Sequence, residues 1–180
     1  MDHTACTGRL ATEADLAAVA AIYAAVHAAD AAGITATGWE PGVYPVRATA
    51  QAALERGELY VFEAEGRTVG CAIINQTQMP AYAQVPWTQA AAPSEVLVLH
   101  TLAIDPRLGH KGYGSAAVAF YEAQARRLGC TWLRLDTNLR NLPARALYRR
   151  LGYRELGTVD CTFNGIPGVA LLMLEKKVRP

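Results

Sequence analysis

Apolar residues recur at three- and four-residue spacing through Leu16, Val19, Tyr23 and Val26, which predicts a helix with one buried face. Thr12 followed by Asp15 resembles a capping box with Asp in place of Glu, and the acid suits the positive end of a helix. Gly33 and Gly38 close this region, and the segment from Gly38 to Gly42 reads as loop. A second helix is expected from Val46 to Arg56, with Gly57 just past its end, where a left-handed cap needs glycine. The period then shortens. Leu59 to Ala64 and Thr68 to Gln76 are strand-like and joined by a turn at Glu65-Gly66, which predicts an antiparallel hairpin. Met79 to Ser94 carries three Pro residues with Tyr82 and Trp87, and reads as a long loop of the kind that often binds ligands.

Glu95 to Ile104 (EVLVLHTLAI) is a near-continuous apolar run, the mark of a strand buried on both faces. A glycine-containing loop follows, then a helix from Tyr113 to Leu128 closed by Gly129 and a buried strand from Trp132 to Asp136. The next helix spans Leu142 to Leu151, with Pro143 in its first turn and Gly152 at its end. Two last strands, near Tyr153 to Phe163 and Val169 to Glu175, are turned by Asn164-Gly165, a strong hairpin signal. Antiparallel strands thus precede a strand–helix–strand–helix unit. The fold class expected is α/β (α+β), one mixed sheet in a single domain over residues 1–180.

Composition narrows the function classes. At 180 residues, 52% hydrophobic and 18% charged, the chain is long enough to bury a core without disulfide or metal staples. Seventeen Lys plus Arg against sixteen Asp plus Glu give a net charge of +1, which disfavours a duplex nucleic-acid binder. Cys6, Cys71, Cys130 and Cys161 lie far apart and form no C-x-x-C pair, so free thiols in a reducing compartment are expected, without metal. The N-terminus has early acids and no apolar signal core, and no run approaches the roughly 18–20 apolar residues of a membrane span. A cytoplasmic protein that binds neither nucleic acid nor membrane is the expectation.

The chemistry concentrates in Leu102 to Ser115, LAIDPRLGHKGYGS. A buried strand stops at Pro106, and a short basic loop feeds a helix. Gly109, Gly112 and Gly114 let backbone N–H groups approach a ligand, while the helix start offers unpaired N–H groups and a positive dipole end. Arg107, His110 and Lys111 add donors, so a pyrophosphate would sit well there. Gly112 to Ala117 also satisfies the dinucleotide pattern G-x-G-x-x-A, with Asp136 about 20 residues on. Seven residues separate Ile104 from Gly112, however, and the unit sits mid-chain behind a hairpin with too few residues left for a second half. The dinucleotide reading therefore loses.

The order of elements and two motifs resemble the GNAT superfamily of N-acetyltransferases. One is Leu102-Ala103-Ile104-Asp105-Pro106 followed by Gly109-His110-Lys111-Gly112-Tyr113-Gly114, similar to the family's Gln/Arg-x-x-Gly-x-Gly/Ala loop, with Gly109 in the first position. The other is Asn141-Leu142-Pro143-Ala144-Arg145-Ala146-Leu147-Tyr148, followed by Leu151-Gly152-Tyr153, similar to N-x-x-A-x-x-L-Y…L-G-F. Together they cover roughly residues 95–160.

The resemblance implies a mainly antiparallel sheet whose central parallel strands, ending near Ile104 and Asp136, splay apart to admit acetyl-coenzyme A. It implies cofactor contacts from Leu102, Ala103 and Ile104, pyrophosphate contacts from Gly109, His110, Lys111, Gly112, Tyr113, Gly114 and Ser115, and a contact or helix cap from Asn141. Tyr148 matches the family tyrosine that protonates the departing thiolate, a sensible pairing of a phenol of pKa ~10 with a thiol of pKa ~8.5. His100 is the candidate base; it lies four residues before Ile104, so strand alternation puts both side chains on one face unless a bulge intervenes. Glu95 competes with it. Trp39, Tyr44, Tyr82 and Trp87 either wall an acceptor pocket or cover the core. The reaction implied is direct acetyl transfer to a primary amine of a small molecule or peptide, in a monomer or a homodimer. A non-catalytic acyl-coenzyme A sensor is the alternative.

Overall fold

The structure, a computed structural model, describes residues 6–108 and 111–178. Its elements are β1 (Thr7–Leu10), α1 (Leu16–Ala31), α2 (Arg47–Glu55), β2 (Leu59–Ala64), β3 (Arg67–Asn75), β4 (Val96–Ile104), α3 (Tyr113–Leu128), β5 (Trp132–Asn138), α4 (Leu142–Arg150), β6 (Arg154–Phe163) and β7 (Ile166–Lys177). The seven strands make one sheet in the order β1-β2-β3-β4-β5-β7-β6. Only β4 and β5 pair in parallel. The mixed, mainly antiparallel sheet agrees with expectation.

The sequence reading missed β1, a four-residue edge strand without alternation that borrows its identity from β2. Its Arg9 bonds Glu63 of β2 and, at 2.8 and 2.9 Å, Asp15. Asp15 in turn accepts from the Thr12 N–H at 2.7 Å, so the acid before α1 fixes the helix start and the strand together. Residues Glu13–Ala31 are long and apolar enough by composition to cross a bilayer. The side chains of Leu16, Val19, Ile22, Tyr23 and Val26 are instead buried on the sheet with α2.

Each face of the sheet carries its own layer. Tyr113, Ala117, Val118, Tyr121 and Ala125 of α3 pack on one face with Tyr148 of α4; α1 and α2 cover part of the other. The rest of that second face is covered by the segment from Met79 to Ser94, which includes a 3-10 turn at Pro80–Gln84 and buries Tyr82.

A buried ion pair pins this segment. Arg134 of β5 and Glu175 of β7 are 3% and 2% exposed and meet at 2.9 Å. The remaining nitrogens of Arg134 donate to Gln78 Oε1 at 2.7 Å and the Gln89 carbonyl at 3.0 Å, and its guanidinium lies 4.2 Å over the Trp87 ring. Glu175 accepts from the Thr88 N–H at 3.1 Å. Every polar atom of the pair thus has a hydrogen-bond partner, either in the other side chain or in the loop, so desolvating two charges here is compensated. Arg134→Met should cost about 3–5 kcal/mol by stranding Glu175, and Arg134→Met combined with Glu175→Leu should recover much of that loss. Urea unfolding of the two variants measures both.

Candidate active site

The site begins with one extra residue. Cys71 of β3 faces Ala103 and Ile73 faces His100, so Ala72 stands opposite both Thr101 and Leu102. Thr101 takes a left-handed φ of 51°, an unusual conformation for a β-branched residue and one found in strand bulges. The Tyr44 hydroxyl hydrogen-bonds the Thr101 hydroxyl and helps hold the bulge.

The bulge reverses the alternation of β4. Before it, Leu97 and Leu99 face α3; after it, Leu102 and Ile104 do, while Ala103 joins the layer under α1 and α2. His100 and Ile104 therefore lie on opposite faces, contrary to the simple period-2 expectation. Pairing between β4 and β5 ends at Leu99 and Leu135, although both strands continue. The Tyr121 hydroxyl, 2.5 Å from the Leu97 carbonyl and 3.1 Å from that of Arg134, rivets the strands just before they part.

Beyond that point the sheet is open. The Asp105 N–H bonds the Val69 carbonyl at 2.9 Å, so antiparallel alternation turns the Ala103 polar groups toward β3 and those of Leu102 and Ile104 into the gap. The peptide groups of Leu102 and Ile104, expected from the sequence to contact cofactor, thus face the gap. Ala103 is not: its peptide faces β3, and its side chain is buried on the other side.

A cavity lies on each face, with a throat between them. On the α3 side a cleft of about 480 Å³ is lined by Leu102, Ile104, Gly112 to Ser115, Tyr148 and Arg150, among others. On the other face a cavity of about 510 Å³ is lined by Tyr44, Arg56, Asn75, His100, Asp136 and Phe163, among others. The throat, about 70 Å³, shares Thr101 and Asp136 with the second cavity and Leu102 and Tyr148 with the first.

The cleft fits an extended ligand that ends in a phosphate. Gly112 caps α3 with a φ of 80° and no side-chain cap, leaving the first-turn N–H groups free of intrahelical partners. A Cβ on Gly114 would come within 3.2 Å of Leu147, so glycine lets the two helices close on the cleft. Ser115 Oγ accepts from Arg150 at 3.1 Å. Arg150 is a cation the sequence reading missed; its spacing two residues after Tyr148 was the available signal.

The other cations behave differently from expectation. Arg107 turns back onto Asp105, at 2.7 and 2.8 Å, which holds its carboxyl below the usual range and keeps the guanidinium out of the cleft lining. Lys111 reaches Glu65 at 3.3 Å. Gly109 and His110 lie outside the described residues, as does His3. Asn141 caps α4, accepting from the Ala144 N–H at 3.3 Å, and also lines the throat. His27 meets the Pro45 carbonyl at 3.0 Å, away from both cavities.

Tyr148 is 5% exposed, and its phenol is held well above its ordinary pKa, first by burial and then by the negative charge of Asp136. His100 Nε2 lies 3.0 Å from Asn75 Oδ1 and 3.1 Å from the Thr77 carbonyl. Both partners accept, so Nε2 carries the ring proton. Burial lowers its pKa to about 4, against a smaller upward push from the Thr77 carbonyl and Glu58. Glu95 is exposed and accepts from the Ala92 N–H at 2.8 Å, outside the three cavities.

Of the loop aromatics, Tyr44 lines the second cavity and Trp39 the throat, whereas Trp87 stacks on Arg134. Tyr82 is buried and donates to Asp136 Oδ2 at 2.9 Å. Burial raises the Asp136 carboxyl to about 6, opposed by that hydrogen bond. Asp136 closes the buried run of β5; its position at a strand end was visible, but its place in the throat was not.

A sheet split between two parallel strands, with an uncapped helix start beside a cleft on one face and a cavity on the other, has room for a ligand on each side of the opening. The profile of the acetyltransferase (GNAT) family matches residues 19–153, and the chain belongs to that family. It is an acyltransferase by membership. No curated protein matches the sequence. Solved structures share the fold: ribosomal-protein-alanine N-acetyltransferase of Brucella melitensis is 24% identical, with a TM-score of 0.68 over 95% of this chain and 99% of that one. An N-acetyltransferase of Staphylococcus aureus Mu50 is 19% identical, with a TM-score of 0.69 over 97% and 99%. Salmonella typhimurium yncA, solved with its cofactor acetyl-CoA, is 20% identical, with a TM-score of 0.66 over 97% and 95%.

The His100 environment predicts a neutral imidazole protonated at Nε2 from pH 8 down to about 5, measurable by nitrogen-15 NMR. Because the folded pKa lies below the ordinary 6.5, this group should cost stability as pH falls from 6.5 toward 4.

Proposed function

We propose that the protein transfers the acetyl group of acetyl-coenzyme A directly to a primary amine of a small molecule or peptide. The observation that carries this reading is the throat: it shares lining residues with the cleft beside the α3 start on one face and with the cavity on the other, and Tyr148 lines it from the cleft side.

In this reading the first-turn amides of Tyr113, Gly114 and Ser115 bind the diphosphate, with Arg150 adding charge beside Ser115. Leu102 and Ile104 bind the pantetheine arm through their gap-facing peptide groups. A backbone N–H there also polarises the thioester carbonyl as negative charge develops on it. The amine approaches from the Tyr44 side. Tyr148, kept protonated by its burial, gives its proton to the leaving sulfur. The acetyl-CoA complex of the Salmonella relative supports this choice of donor.

The base expected from the sequence, His100, lines the acceptor cavity, but its Nε2 proton is committed to acceptors of the β3 side. Its lowered pKa further weakens it as a partner for an ammonium group. Glu95 stands farther out still.

Calorimetry should record acetyl-coenzyme A binding and no NAD binding; the reverse would restore the dinucleotide reading. A screen of amines, amino acids and peptides, followed by thiol release, should find an acceptor. Tight cofactor binding with no release for any amine would favour the sensor reading. Tyr148→Phe should lower kcat by about a hundredfold or more while changing acetyl-coenzyme A affinity less than about twofold. Unchanged turnover would remove Tyr148 from the chemistry.

A further inference from the structure

We infer that the acceptor is a small amine carrying a carboxylate several bonds from the reacting nitrogen, and that Arg56 binds this carboxylate at the far end of the acceptor cavity. This rests on the acetyl-transfer reading and names the substrate class for it. The cavity, about 510 Å³, is the size of a small-molecule site and is charged at two points. Among the described residues lining it, Arg56 is the only Lys or Arg and Asp136 the only Asp or Glu. Asp136 also lines the throat, whereas Arg56 lines neither the throat nor the cleft. The negative point thus lies where the amine must arrive, and the positive point lies away from it. That polarity suits a zwitterion that enters amine first.

The end of α2 builds the cationic point. Arg56 closes the helix, Gly57 takes a left-handed φ of 68°, and the turn brings Glu58 beside Arg56. Arg56 Nε donates to Glu58 Oε2 at 2.8 Å. The same oxygen accepts from Asn75 Nδ2 at 3.1 Å, and Asn75 Oδ1 accepts from His100 Nε2 at 3.0 Å. Side chains from β3 and β4 therefore fix the carboxylate that holds the guanidinium by one edge. Arg56 Nη1 and Nη2 donate to no described side chain or carbonyl, and Glu58 is not among the lining residues, so the cavity meets the cation rather than its partner. A guanidinium anchored through Nε presents a fork of donors that matches the two oxygens of a carboxylate.

Strand register sets the spacing. Asn75, the anchor of that carboxylate, pairs with Val98, and Thr101 lines the throat. Three residues of β4 separate these positions, roughly 10 Å along the strand. The carboxylate of a simple α-amino acid is too close to its nitrogen to bridge that interval, whereas one at the end of a short chain can reach. Ile73, Met79, Leu99 and Phe163 give the cavity an apolar wall that suits the methylene groups between. A polyamine would bring a second cation to Arg56 and be repelled. His100 adds no charge there near pH 7.

Matched acceptors test this. Aspartate, glutamate, 4-aminobutyrate and 6-aminohexanoate are each compared with the compound whose distal carboxylate is a carboxamide, following thiol release. The best carboxylate should show a kcat/KM about ten- to a hundredfold above that of its carboxamide. Arg56→Gln should shrink the ratio to about threefold or less, through a higher KM for the carboxylate, while acetyl-coenzyme A affinity by calorimetry stays within about twofold. Arg56→Lys keeps the charge without the fork, so its ratio should fall between the two. Equal use of both members by the wild type, acetylation of other amines but none of these, or a ratio that Arg56→Gln leaves unchanged would each overturn the inference while acetyl transfer stands. If Arg56→Gln fails to fold by thermal unfolding, an undiminished ratio in Arg56→Lys overturns it instead. A wild type that binds acetyl-coenzyme A but acetylates no amine removes both readings.

Discussion

Two adjacent parallel strands that begin as partners and then separate set up everything else in this protein. The register ends at Leu99 and Leu135, and the bulge at Thr101 is the local cause. Thr101 holds a left-handed φ whose cost, about 1–3 kcal/mol for such a residue, must be met by its surroundings. Tyr44 bonds its hydroxyl on one face, and Tyr121 ties the two strands on the other, just short of the opening. An unbulged β4 would pair along β5, and the Leu102 and Ile104 peptide groups would satisfy that strand. With the bulge, those groups face a gap, and buried peptide groups need a partner from water or ligand. The same extra residue changes which side chains face which cavity, so the opening and its lining have one origin.

The gap alone would be a weakness in the sheet. The sheet face opposite α3 is partly covered by a segment that has no strand or long helix to fix it, and this is where the Arg134–Glu175 pair acts. Two charges buried in β5 and β7 spend their remaining hydrogen-bonding capacity on Gln78, Thr88 and Gln89. An apolar pair could pack the sheet equally well but could not hold three polar points of a loop. Through Trp87 and Tyr82 the clamp reaches Asp136, which places the loop's geometry and the carboxylate's geometry under one constraint.

Most of the scaffold was legible because it is written in local patterns. The helices from Leu16 and Tyr113 follow their apolar periods, and the turns at Glu65-Gly66 and Asn164-Gly165 take the left-handed backbone that Gly66, Asn164 and Gly165 accept readily. β1 was not legible, since Thr7–Leu10 has no alternation and depends on pairing with β2. For the site, the two motifs located the cleft and placed Tyr148 and Asn141 on its helix. They could not place His100, because one residue of bulge inverts a period-2 argument and no residue type announces a bulge at Thr101. Arg107 was misjudged for a related reason. A cation near a phosphate loop is attractive in sequence, but Asp105 two residues away captures it at 2.7 Å. Asp136 was legible as a strand end and as a match to a dinucleotide pattern; its contact with Tyr82, 54 residues earlier, is a tertiary one that no local pattern announces.

Burial in the throat has opposite chemical consequences for two acids of different strength. It disfavours the charged form of each, so both pKa values rise. For Tyr148 the rise keeps the phenol protonated, the state from which it can donate. For Asp136 the rise ends near 6, so the group is still ionised at neutral pH but holds a proton far better than an ordinary aspartate. Such a carboxylate burdens the fold: an acid whose folded pKa is raised lends stability only at low pH and loses it as pH climbs from about 4 through 6. The loss near neutrality is on the order of 2 kcal/mol, after allowing for the solvent that reaches the cavity. An uncharged side chain would suit the sheet better at that position.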